Sequence, residues 1–159
     1  MTEGASGNQV GRLHEVLMAV VADLAFILLD ADNRDGPVTV PAHYRRMKLP
    51  VILPFEGELL LAIEPGLLRE ITRNIYGLDA EQPPSDHELD TLAELLNTIG
   101  GNLMRVVVPP TVKYELGLPV VPGNGETSDD SSLNFGFCSE EGRLIFTIVG
   151  QHLISEVIK

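Results

Sequence analysis

The chain has 159 residues, 44% of them hydrophobic, which suits one globular domain with a sizeable core. A formal charge of -12 repels phosphate backbones and anionic lipid headgroups, so no nucleic acid and no membrane surface is expected as a partner. A lone cysteine, Cys138, leaves no internal disulfide and suits a reducing compartment.

Residues 1–8 are rich in glycine and serine and are expected to be a flexible N-terminus, leaving 9–159 as a single domain. A helix is expected from Gln9 to Leu29, with Leu13, Leu17, Val20, Leu24 and Ile27 on one face. The apolar run within it, Val16 to Leu29, is interrupted by Asp23 and too short to span a bilayer. Arg12 is the only Lys or Arg ahead of that run, so a signal peptide is not indicated and a cytoplasmic protein is expected. Asp32 to Gly36 reads as a polar turn, and Pro37 to Val40 as a short edge strand. Leu49 to Phe55 and Glu58 to Glu64 form a hairpin pivoting at Glu56-Gly57.

Pro65 opens a second helix, and Gly77, directly after Tyr76, is placed to cap its end. Ser85 and Glu88 are spaced as a capping box ahead of a long third helix, which Pro109-Pro110 ends. Glu115 to Val121 reads as a strand and Pro122 to Ser132 as a polar loop. Leu133 to Cys138 and Arg143 to Val149 make a second hairpin, and the tail from Gln151 suits either a helix or a strand.

This layout contains an internal duplication. Shifting by 79 residues lays Leu13, Leu17, Val20 and Leu24 on Leu92, Leu96, Ile99 and Leu103. Each long helix then precedes an edge-like strand and a hairpin. Two such α-β-β-β units predict an α+β fold: a six-stranded, mostly antiparallel sheet with long helices packed against it and a pseudo-two-fold internal repeat.

The third helix carries the feature with most chemical content. Leu89, Leu92, Leu96, Ile99, Leu103 and Val106 recur at three- and four-residue steps, the apolar stripe of an amphipathic helix. At about 100° per residue the opposite face is made by Asp90, Glu94, Asn97 and Gly101. An acid and an amide three residues apart therefore stand side by side. A helix-interior glycine costs about 1 kcal/mol relative to alanine, and Gly100 and Gly101 come as a pair, as if another surface must approach closely. Under the 79-residue shift Glu94 falls on Glu15, Asn97 on Met18 and Gly101 on Ala22. The carboxylate is kept and the amide is lost, so only one of the two helices carries the pair.

Glu94 and Asn97, set in Ala93-Glu-Leu-Leu-Asn-Thr-Ile-Gly-Gly-Asn102, resemble the signature of the CheC/CheX chemotaxis phosphatases, in particular the CheX type. The resemblance extends to the hairpin at Gly57-Glu58-Leu59, the helix ending near Tyr76-Gly77 and the closing hairpin. It implies a phosphatase acting on the aspartyl-phosphate of a CheY-like response regulator. Asn97 would orient the attacking water, and Glu94 would pair with a lysine of the regulator. The resemblance further implies no cofactor of its own, the Mg²⁺ being carried by the phosphorylated regulator, and a homodimer with one signature per chain.

The residue types suit that chemistry in their own right. An acyl phosphate is already activated, so a helper needs chiefly to position water and to dock. A side-chain amide both donates and accepts hydrogen bonds and can hold such a water.

The plain alternative for Glu94 and Asn97 is an ordinary solvated helix face, since polar pairs at this spacing are commonplace. A rival on the same fold is a non-catalytic module that binds phospho-regulator, as in the flagellar switch, or one that serves only dimerisation. The four histidines, His14, His43, His87 and His152, show no metal-ligand spacing. Cys138 reads as a core residue of a strand. Arg45, Arg46 and Lys48 read as a charged strand edge, with docking of a regulator as the lesser reading.

Overall fold

A computed structural model describes residues 3–25, 27–31, 40–78, 87–123 and 132–157. The elements are α1 (Glu3–Ala25), β1 (Asp30–Ala31), β2 (Arg45–Leu53), β3 (Gly57–Ile63), α2 (Pro65–Tyr76), α3 (Glu88–Val107), β4 (Glu115–Leu116), β5 (Ser132–Ser139), β6 (Gly142–Val149) and α4 (Gln151–Val157).

Helix α1 begins at Glu3, ahead of the expected Gln9, and stops at Ala25, short of the expected Leu29. Ile27 and Leu29 are buried whereas Leu28 and Asp30 are exposed, an alternation with the period of extended chain. The chain accordingly leaves the helix and enters β1. Strand β2 starts at Arg45, ahead of the expected Leu49, because Met47, Leu49 and Val51 alternate inward along it. The second hairpin, α2 and the end of α3 lie where the residue pattern put them. Gly77 caps α2 at φ 63°, a left-handed conformation that glycine adopts without steric penalty. The tail is a helix. The Asp32 to Gly36 turn, the Pro37–Thr39 part of the expected edge strand, Ser85 and most of the Pro122 to Ser132 loop lie outside the described residues.

The six strands run in the order β1-β5-β6-β3-β2-β4, and every pairing is antiparallel. That order is its own mirror under exchange of the two α-β-β-β units. Strands β3 and β6 meet at the centre, paired from Glu58↔Val149 to Ile63↔Leu144. Strands β2 and β5 flank them, and the short β1 and β4 close opposite edges, each on a strand of the other unit. The expected duplication is present in the fold. The strand expected over Glu115–Val121 is only two residues long as β4. Val120 then returns to the sheet as an isolated bridge, exchanging backbone hydrogen bonds of 2.8 and 2.9 Å with Lys48.

The core lies between one face of the sheet and the helices. Leu49, Val51, Leu59, Leu61, Ile63, Phe135, Phe137, Phe146 and Ile148 point into it. They meet Leu13, Leu17 and Val21 of α1, Leu67, Leu68 and Ile71 of α2, the inner side of α3, and Leu153 of α4. The helices follow the two-fold as well. His14 of α1 lies edge-on to Phe135 of β5 at 5.0 Å, while Gly100 of α3 lies on Leu49 of β2. Each long helix thus rests on the second strand of the other unit. Among the described residues no helix is long and apolar enough to cross a membrane.

Candidate functional site on helix α3

Helix α3 is held from several sides, which fixes the one face it leaves free. It packs on β2 and β3 beneath and against both α1 and α2. The buried set is therefore wider than a single stripe: Thr91, Leu92, Leu95, Leu96, Ile99, Gly100, Leu103 and Met104. Leu89, expected on the stripe, is instead 59% exposed, and Val106 is half-buried, while Leu95 and Met104 are buried against the flanking elements. A two-layer helix–sheet contact would have needed only the stripe; neighbours on both flanks recruit the rest.

The N-terminus of α3 is anchored by local contacts. His87 is its N-cap residue and makes no side-chain cap bond; the Ser85 end of the expected capping box lies outside the described residues. His87 stacks on Tyr76 at the end of α2 with ring centroids 4.3 Å apart. Thr91 Oγ1 donates to the His87 carbonyl at 3.0 Å. Glu88 and Asp90 place negative charge in the first turn, where the helix dipole favours it. Glu88, itself largely covered, also faces the exposed Arg45 of β2 at 4.0 Å, a long ion pair worth at most about 1 kcal/mol.

The free face is as expected. Asp90, Glu94 and Asn97 are exposed and Gly101 is half-buried. Three polar side chains off this face have partners: Thr91 as above, Glu88 with Arg45, and Asn102 Nδ2 donating to the Thr98 carbonyl at 2.8 Å. Among the described residues no hydrogen bond or ion pair engages the side chains of Asp90, Glu94 or Asn97. A carboxylate and an amide are thus presented side by side with their hydrogen-bonding capacity unspent, on a rigid element.

Gly100 has a purely internal reason. A Cβ there would meet Leu49 Cδ2 at 2.9 Å and Leu59 Cδ1 and Leu116 Cδ1 at 3.2 Å each, so the helix reaches the sheet only because the side chain is absent. Tyr114, which the residue pattern did not single out, stands beside the free face. It lies just ahead of β4, 36% exposed, with its hydroxyl next to Gly101. No periodicity marks it, since it follows a proline pair in a stretch without regular structure; an exposed aromatic in an aromatic-poor chain was the only signal.

The remaining candidates are accounted for by the fold. Strand β2 lies between β3 and β4, but β4 pairs only with Val51 and Leu53 and Val120 bridges Lys48. Among the described residues Arg45 and Arg46 therefore pair on the β3 side alone, as the expected charged edge, while Lys48 is covered. Arg45 faces Glu88, Arg46 Nη2 donates to the carbonyl of Val40 at 3.1 Å, and Lys48 Nζ lies 3.9 Å from Glu58. Cys138 is half-buried in β5. Among the described residues no three His, Cys, Asp or Glu side chains gather so as to hold a metal ion. A broad groove of about 1310 Å³ opens on the opposite face of the sheet, lined by Lys48, Glu58, Leu60, Asn134 and Thr147. The α3 face is a convex surface that suits docking of a macromolecule more than enclosure of a small molecule.

No protein-family model and no curated protein sequence matches the chain. Solved structures do. The chemotaxis protein CheX from Vibrio vulnificus superposes with a TM-score of 0.71 at 20% identity, covering 89% of this chain and 98% of that one. CheX in the CheX–CheY–BeF₃–Mg²⁺ complex from Borrelia burgdorferi gives 0.65 at 10% identity, covering 88% and 96%. The FliM middle domain from H. pylori gives 0.65 at 14% identity, covering 95% and 92%. The chain has the fold of the CheX and CheC-like chemotaxis proteins.

Proposed function

We propose that the protein is a phosphatase that hydrolyses the aspartyl-phosphate of a CheY-like response regulator. Asn97 holds the attacking water in line with phosphorus and Glu94 docks a lysine of the regulator. The observation that carries this reading is the exposed Glu94–Asn97 pair, which among the described residues has no side-chain partner, on the outer face of α3. The chemistry asks little more of this chain. The acyl phosphate bond is activated, the metal ion comes with the regulator, and an amide that donates and accepts can orient water without changing charge. A side-chain amide does the same in small GTPases, where a glutamine positions the attacking water.

The fold of the FliM middle domain is the same, so fold does not choose between a phosphatase and a phospho-regulator-binding module. The amide favours the phosphatase, because docking alone has no use for a group that orients water. The test is the decay of phosphoaspartate on CheY-like regulators encoded with this protein, followed with and without it. Acceleration of decay supports the phosphatase. Binding to the phosphorylated regulator with unchanged decay supports the module. The proposal includes a homodimer, which light scattering at micromolar concentration measures.

A further inference from the structure

A glycine inside a helix is destabilising relative to alanine, so each one asks for a reason. Gly100 has one in the packing of α3 on the sheet. Gly101 does not. Among the described residues, and apart from its own helix, the one atom within 4 Å of where its Cβ would stand is Tyr114 Oη, at 4.0 Å, an ordinary contact that an alanine would accommodate. Nor is its backbone in the left-handed region that would require glycine. Gly101 follows Asn97 by one turn on the same free face, and among the described residues the Tyr114 hydroxyl beside it takes no hydrogen bond.

Resting on the proposed function, we infer that Gly101 and Tyr114 form a second contact with the docked regulator. The missing side chain at Gly101 lets main chain of the regulator lie against the backbone of α3. The Tyr114 hydroxyl gives that main chain a hydrogen-bonding partner at the rim. Close seating there sets the depth at which Asn97 reaches the phosphoryl group. The occupant is the same regulator that meets Glu94 and Asn97, because the two positions are continuous on one helix face.

The experiment uses a CheY-like regulator activated with BeF₃ and Mg²⁺ and the full chain. Titration gives affinity and thermal melts give stability. Gly101→Ala should raise the melting temperature by roughly 2–4 °C, since it removes a helix-interior glycine into open space. Gly101→Leu, also a good helix former, should fold normally and weaken binding by at least about tenfold. Tyr114→Phe should leave the melt unchanged and weaken binding about two- to tenfold, the range of one hydrogen bond. A variant that binds like the wild type removes its residue from the contact. If the wild type itself neither binds nor dephosphorylates the regulator, the proposed function fails and the inference with it.

Discussion

Helices α1 and α3 are one structural solution used twice with different outer faces. Leu13, Leu17, Val20 and Leu24 of α1 correspond to Leu92, Leu96, Ile99 and Leu103 of α3, and all but the half-buried Leu24 are buried. Their outward positions part company. Glu15 is exposed like Glu94, but Met18, where Asn97 would stand, is half-buried and packs against the core, and Ala22 replaces Gly101. Beneath the helices the difference continues, with buried Val21 in α1 where Gly100 lets α3 sink onto the sheet. Positions that bury apolar area are held by the fold in both halves, whereas the free face is at liberty to keep a site or lose it.

The largest break in this comparison comes from Asn97→Ala. It lies opposite the buried side of α3, so it should change stability by only about 0.5 kcal/mol while lowering phosphatase activity by roughly 10²-fold or more. Paired melts and turnover assays read both halves. Glu94→Gln should come next, weakening binding to a BeF₃-activated regulator by about 2 kcal/mol, the lower end for a charge left without its partner at an interface. Affinities equal to wild type in a titration would count against the docking role.

Gly100→Leu sharpens the other side of the contrast, since it tests scaffold and not site. The added side chain meets Leu49, Leu59 and Leu116, and overpacking of this kind should lower stability by about 1–3 kcal/mol in a denaturant titration. Smallest is a pH effect confined to α1. His14, opposite Ala93 in the repeat, packs on Phe135 and Phe137, and burial pushes its pKa below the ordinary 6.5. The unfolded chain then takes up a proton more readily than the folded one. Stability should be full above pH 6.5 and fall as pH drops below it, a slope that His14→Gln should flatten in melts across that range.

Much of this architecture was legible because long periodic segments report burial directly: α2, the end of α3, both hairpins and the repeat follow from apolar spacing and from Gly and Pro. The acid–amide pair was legible for the same reason, as the face that burial does not use. What escaped depended on neighbours distant in sequence. Leu95 and Met104 are buried by flanking elements that no local period records, and Lys48 is covered because Val120, distant in sequence, bridges to it. Ile27 to Asp30 continues the helical spacing of α1 well enough to hide its alternation, so β1 was missed. Tyr114 stands beside Gly101 only through where the chain returns after the proline pair.

Decay of phosphoaspartate on a cognate regulator, measured side by side with wild type, Asn97→Ala and Glu15→Gln, tests most directly whether α3 alone carries the activity. Loss of acceleration with Asn97→Ala and wild-type rates with Glu15→Gln is the expected result. Wild-type rates with Asn97→Ala, or a comparable loss with Glu15→Gln, would contradict a single site on α3.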